Sequence, residues 1–281
     1  LFRSADPVYA IFALVGERLD GHDFLPSALL RKPGLAVLSD PSSLRNRRSR
    51  KLQSDRIWSD NRYDGTQALP FLLVPDTTVA LQDLARGLRN LWGGPVIGIT
   101  GSMGKTTTRH YISGLLERTL RVHSTSGNFN NHIGLPLSLT RLEEAHQVSV
   151  LEMGMNHAGE IRLLGNICRP DTAVITNVAP VHLQFFASLE RIAEAKAEII
   201  ETIKPGGSLV YNGDDELATG IAQRFPGRKL SFGFSKGCDI RISEVAAEDL
   251  ENTAFSLTVA PGSRTITLRL KATGKPGAMN L

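Results

Sequence analysis

Gly98-Ile-Thr-Gly-Ser-Met-Gly-Lys-Thr-Thr-Thr108 is the stretch whose reading decides the fold. The apolar run Pro95-Val-Ile-Gly-Ile99 leads into it, as a buried strand would. Behind it, Ile112, Leu115, Leu116 and Leu120 recur at helical spacing. A strand, a Gly-rich turn and a helix in that order make a phosphate-binding loop. The glycines let backbone N–H groups close around phosphate oxygens, and the helix start adds positive potential. Lys105 is placed to reach terminal phosphates and the Thr106 hydroxyl to hold Mg²⁺. Thr100, Gly101, Ser102, Gly104 and Thr107 complete the cradle. The strict G-x-x-x-x-G-K-[ST] spacing asks for glycine where Ile99 stands, so the motif begins at Thr100.

Outward from the loop, strands and helices alternate. The pattern predicts strands over 96–100, 122–125, 148–153, 172–178, 208–212 and 229–232. It predicts helices over 105–120, 159–167, 189–203 and 215–225. Such alternation implies an α/β fold with a mostly parallel sheet covered on both faces. Residues 240–242, 255–259 and 266–270 alternate with period two, as an antiparallel appendage would. Before the loop, Tyr9-Ala-Ile-Phe-Ala-Leu-Val15 and Leu35-Ala-Val-Leu38 read as strands of a small α/β domain. Residues 40–68 read as a polar loop or insertion. Two domains are expected, 1–81 and 82–281.

The composition is that of an ordinary globular chain. It has 281 residues, 41% hydrophobic and 21% charged, which excludes a disordered or collagen-like protein. Two cysteines, Cys168 and Cys238, cannot make a disulfide framework and read as reduced thiols. No apolar run reaches the ~20 residues of a membrane helix. The start has neither a signal-peptide pattern nor an initiator methionine, as in a fragment or processed chain. The net charge of +4 is local: without Arg45, Arg47, Arg48, Arg50 and Lys51 it becomes −1. That argues for a solvated loop and against a nucleic-acid-binding surface.

Four further places carry candidate chemistry. Val148-Ser-Val-Leu-Glu152 ends an apolar strand in a carboxylate, at the sheet edge where ligands bind. Glu152 there can hold Mg²⁺ or orient water, or simply cap a helix. The strand ending at Asn177 faces the same edge, and His182 follows it as a metal or phosphate group or a structural histidine. Lys196 falls on the apolar stripe of Leu189, Ile192, Ala193, Ile199, Ile200 and Ile203. It either snorkels from the stripe's edge or is an active-site amine, and a neutral amine can take up CO₂ as a carbamate metal ligand. In Gly127-Asn-Phe-Asn-Asn-His-Ile-Gly-Leu-Pro136, Asn128 and Asn131 can reach phosphate or sugar oxygens, or serve turn geometry alone.

Together these residues resemble the ATP-dependent Mur ligases of peptidoglycan synthesis. The likeness is greatest to the subfamily that joins D-alanyl-D-alanine to UDP-N-acetylmuramoyl-tripeptide. The family's T-G-[ST]-x-G-K-[ST] stands at 100–106, its G-N-x-N-N-x-x-G-x-P at 127–136 and its E-M-G-x-N-x-x-G-E-I at 152–161. Its T-N-[VI]-x-x-x-H-L stands at 176–183 and its A-K-x-E-I at 195–199. Phe12-Ala-Leu-Val-Gly-Glu17 and Asp20-Gly-His-Asp-Phe24 are similar to the subfamily's UDP-binding domain. The resemblance implies phosphate and Mg²⁺ roles for Lys105 and Thr106, and magnesium ligation by Glu152, His182 and a carbamylated Lys196. It implies adenine contact by Asn280 and uridine-side contact by Arg3. Three motifs depart from the family: its D-[ST]-R stands as Leu1-Phe2-Arg3, its P-G-D as Pro7-Val8-Tyr9, and the histidine of its G-x-H-x-x-x-N is Pro276. The family's third, Rossmann-like domain has no counterpart in these residues.

The implied activity is an ATP- and Mg²⁺-dependent amide ligase of the cytoplasm, a monomer with no nucleic-acid partner and no membrane span. It would work through an acyl phosphate on the muramoyl tripeptide, which D-alanyl-D-alanine then attacks. The alternatives are a truncated nucleotide-binding remnant without activity and another Mur or folylpolyglutamate-type ligase.

Overall fold

In the computed structural model the described residues are 10–16, 19–24, 34–39, 62–63, 67–68, 71–180, 186, 188–247, 253–259, 264–270 and 279. The chain forms two compact units, divided between Leu84 and Ala85. In the first, β1 (Ala10–Phe12), β2 (Leu35–Leu38) and β5 (Phe71–Leu73) form a parallel sheet in the order β1-β2-β5. The expected loop over 40–68 holds a short antiparallel pair, β3 (Arg62–Tyr63) and β4 (Gln67–Ala68). The basic run at 45–51 lies outside the described residues.

Helix α1 (Thr77–Trp92) carries the chain across that division. Its buried positions are Thr77, Leu81, Gln82, Ala85 and Arg89, a helical stripe that is polar at three of five places. Val79, Leu84 and Leu91 are exposed. Leu81, Leu84, Leu88 and Leu91 still recur at helical spacing, although the sequence analysis names no helix there.

The second unit is built on one nine-stranded sheet, ordered β14-β13-β12-β11-β10-β9-β6-β8-β7. Its strands are β6 (Val96–Thr100), β7 (Val122–Ser124), β8 (Val148–Glu152), β9 (Thr172–Ile175), β10 (Ser208–Asn212), β11 (Arg228–Gly233), β12 (Ile240–Ala247), β13 (Thr253–Val259) and β14 (Arg264–Leu270). From β7 to β12 neighbours run parallel, and β12 to β14 are antiparallel. The antiparallel strands therefore extend the main sheet. All five residues of β8 are buried, as expected of a strand covered on both faces.

Helix α2 (Lys105–Leu116) packs Ile112 and Leu116 against Ile99, Val150 and Val174 on one face. The other face carries α3 (Gly134–Leu139), α4 (Glu160–Cys168), α5 (Leu189–Ala197) and α6 (Glu216–Arg224). Their Leu139, Ile161, Ile192 and Ile221 share a core with Leu151 and Ile175. Helix α3 begins inside the stretch expected to be a loop. Asn131 starts it by accepting from the N–H groups of Ile133 and Gly134, and Pro136 sits in its first turn, where a missing N–H costs nothing.

The helix expected over 189–203 changes character: α5 ends at Ala197, and Glu198–Glu201 form a 3-10 turn. The Glu198 carboxylate accepts from the N–H groups of Gly159 and Arg162 and so caps α4. The strand expected over 172–178 stops at Ile175 because Thr176 and Asn177 bond to the phosphate loop instead.

Candidate functional site

Strands β6, β8 and β9 are neighbours, with β6 between the other two, and chain connections leave β6 and return on both sides of it. Their carboxyl ends form the crevice in which open α/β sheets bind ligands. The loop between β6 and α2 lines it. Gly101 has φ +149°, and a Cβ there would lie 1.9 Å from the Thr176 Oγ1, so only glycine fits. Gly104, with φ +82°, is the left-handed residue that opens α2. Among the described residues no side chain caps α2, so its first N–H groups stay available to an anion.

Side chains from β9's end brace this loop. Asn177 accepts from the Met103 N–H at 2.9 Å through Oδ1, and its Nδ2 donates to the Met103 carbonyl at 3.2 Å. Thr176 Oγ1 donates to the same carbonyl at 2.6 Å. The Ser102 hydroxyl donates to the Ala179 carbonyl and accepts from its N–H. Asn177 and Ser102 thus hold the loop's shape. Thr100 is fully buried at the tip of β6, with a hydroxyl that makes no hydrogen bond among the described residues. Thr107 is exposed on the first turn of α2.

Lys105 folds back over the loop, its Nζ donating to the carbonyls of Gly101 at 2.8 Å and Ser102 at 3.3 Å. Burial lowers its pKa, and the Glu152 carboxylate opposes that shift. Glu152, 2% exposed, ends β8 with both carboxylate oxygens engaged. Thr106 Oγ1 donates to Oε2 at 2.9 Å and Asn130 Nδ2 to Oε1 at 2.9 Å, while Arg109 Nε stands 3.6 Å from Oε2. Thr125 Oγ1 accepts from the Glu152 N–H. Lys196 is 3% exposed on α5 and has no carboxylate partner among the described residues. Burial first, then the charge of Lys105, push its amine down to about 7. The structure therefore brings Lys105, Thr106 and Glu152 into contact, and couples Lys196 to Lys105 by charge.

Asn131 spends its side-chain oxygen on starting α3, and Asn128 is exposed, with its carbonyl accepting from the Asn130 N–H. Arg3, His182 and Asn280 lie outside the described residues. Sequence reasoning missed Asn130 and Arg109. Asn130 stands in the same Asn-rich stretch as the two it named. Arg109 lies four residues after Lys105 and three after Thr106, the spacing of one helix face.

The donor set fits magnesium. A hydroxyl and a carboxylate oxygen 2.9 Å apart are the hard oxygen ligands it prefers. Among the described residues no three His, Cys, Asp or Glu side chains gather to hold a metal.

Comparison with known proteins agrees with this architecture. Residues 99–281 match the Mur ligase middle domain. The UDP-N-acetylmuramoyl-tripeptide–D-alanyl-D-alanine ligase of Bacillus subtilis (strain 168) is 38% identical over 244 residues, 87% of this chain and 48% of that protein. A crystal structure of MurF from Acinetobacter baumannii superposes with TM-score 0.81 at 29% identity, covering 96% of this chain and 54% of that one. MurF ligase from Thermotoga maritima in complex with ADP superposes with TM-score 0.79 at 29% identity, covering 97% and 58%. The chain spans about half the length of the curated relatives it matches. With the middle domain matched over most of its length, the chain belongs to the Mur ligase family.

Proposed function

We propose that this chain is the nucleotide-binding and muramoyl-substrate-binding part of a cytoplasmic ligase. That ligase uses ATP to join D-alanyl-D-alanine to UDP-N-acetylmuramoyl-tripeptide in peptidoglycan synthesis, and it acts as a monomer. The observation that carries the reading is the contact of Thr106 with Glu152 at the mouth of the phosphate loop, beside Lys105 and Lys196. The names of the similar proteins support the substrate pair.

In this reading the loop N–H groups and Lys105 bind the β- and γ-phosphates of ATP. Thr106 and Glu152 hold one magnesium ion, and His182 with Lys196 hold a second. Magnesium, when bound, neutralises phosphate oxygens as charge moves. The substrate carboxylate attacks the γ-phosphorus, ADP leaves, and an acyl phosphate forms. The amine of D-alanyl-D-alanine then attacks the acyl carbon, loses a proton, and expels phosphate. Lys105 offsets the clustered oxyanions in both steps, and positioning supplies much of the rate. An amine held near 7 is partly neutral at cytoplasmic pH. Its lone pair can take up CO₂ and release a proton, which makes Lys196 an anionic ligand. Residues 1–81 take the UDP end through Arg3, Asn128 and Asn131 approach the muramoyl side, and Asn280 contacts adenine.

ADP release measured with ATP, the muramoyl tripeptide and D-alanyl-D-alanine tests the proposal. Release that needs both substrates supports it. Because the chain spans about half of its relatives, a nucleotide binder without turnover is the second reading. It predicts ATP binding with no substrate-dependent ADP release. A chain that binds no ATP overturns both.

A further inference from the structure

We propose that Arg109 is a positioning residue: it holds the Glu152 carboxylate before a divalent cation arrives, yields it on binding, and so sets the metal affinity of the site. The inference rests on the magnesium role proposed for Glu152. The Arg109 side chain is 9% exposed and reaches from α2 into the space between the ends of β7 and β8. Its Nη1 donates to the Thr125 carbonyl, and the Thr125 hydroxyl in turn accepts from the Glu152 N–H. Helix, loop and strand end are thereby locked around one carboxylate.

The Nε behaves differently. It is buried, has no hydrogen-bond partner among the described residues, and stops 3.6 Å from Glu152 Oε2. A buried guanidinium nitrogen left unbonded is costly, and nearly all such groups in folded proteins find a partner. The carboxylate oxygen it faces is the one already taken by the Thr106 hydroxyl at 2.9 Å. Those two oxygens are the ones a magnesium ion would bind. A cation that settles on them meets the positive charge of Arg109 across a few ångströms, and the two compete for the same carboxylate. The arginine keeps Glu152 aimed at Thr106 in the free protein, and it lowers the affinity for metal. Removing that repulsion is expected to tighten metal binding about tenfold, the equivalent of about 1.4 kcal/mol.

Binding of Mn²⁺ by electron paramagnetic resonance, with ADP present, tests this without reference to turnover. Arg109→Gln keeps an N–H donor for the Thr125 carbonyl but removes the charge, and is expected to bind Mn²⁺ about tenfold more tightly. Arg109→Lys keeps the charge and should stay within about twofold of the parent. Unchanged or weaker binding in Arg109→Gln, with a parent-like melting temperature, overturns the proposal. A parent chain that binds no Mn²⁺ with ADP overturns the magnesium role itself. If the glutamine variant does not fold, the Nε–H resonance of Arg109 in the parent decides. It should shift with ADP and Mg²⁺ but not with ADP and EDTA, and identical spectra contradict the proposal.

Discussion

Both ends of the central strands bury cations beside a carboxylate, but the two clusters are finished differently. At the amino ends of β6 and β9, Arg89 donates from Nε to the Cys168 carbonyl at 2.7 Å and from Nη2 to the Arg169 carbonyl and Asp171. Asp171 also accepts from the Val96 N–H and from Lys204. Arg89 lies over the Trp92 ring as well. At the carboxyl ends, Lys105 and Arg109 stand beside Glu152 and Lys196 is coupled by charge to Lys105, with one guanidinium nitrogen unbonded among the described residues and one amine pushed toward neutrality. A completed network fixes the fold, whereas surplus positive charge held in place is what an anionic ligand completes.

The comparison breaks first at Arg89. Arg89→Met leaves the Cys168 and Arg169 carbonyls short of a donor and should cost about 3 kcal/mol in urea unfolding. Nucleotide affinity of the folded fraction should not change. A second finished group should respond to acid. The buried His123 bridges the Ser149 hydroxyl and the Ser138 carbonyl, and burial lowers its pKa to about 4. The unfolded chain takes up a proton near 6.5 that the folded chain refuses until about 4. Stability should therefore be full above pH 6.5 and fall by about 3 kcal/mol as pH drops through that window. His123→Phe should flatten this part of a pH series of melting curves.

At the other end the effects should appear in binding. Lys105→Met should weaken Mg²⁺·ATP binding by about 100-fold, near 2.7 kcal/mol, without lowering the melting temperature. Lys196→Met should reverse the sign seen for Arg89 and raise stability at pH 6 by about 1–3 kcal/mol. The Lys196 amine is near 7 when folded and 10.5 when unfolded, so its cost is full below pH 7 and fades as pH rises toward 10.5. The variant's advantage should fade over the same range.

The parallel framework was legible because its strands and helices bury continuous apolar faces. The phosphate loop was legible because Gly101, Gly104, Lys105 and Thr106 carry their role in residue type and spacing. Helix α1 was not read, although Leu81, Leu84, Leu88 and Leu91 keep helical spacing, because that run straddles the domain boundary expected after residue 81. The early end of β9 and the 3-10 turn after Ala197 were not, because both follow from bonds to distant backbone groups, at Met103 for one and at Gly159 and Arg162 for the other. Lys196 was singled out by its place on an apolar stripe, and the structure buries it there. Asn130 and Arg109 escaped because polar residues in a loop and on a helix reveal a shared partner only after folding brings β8 between them.

The central claim is that Thr106 and Glu152 give the phosphate loop its dependence on magnesium. Isothermal titration of ATP into the chain, with and without Mg²⁺, should show tighter binding with the metal in the parent and no such difference in Glu152→Gln. Equal affinity with and without Mg²⁺ in the parent, or a metal dependence that survives in Glu152→Gln, would contradict it.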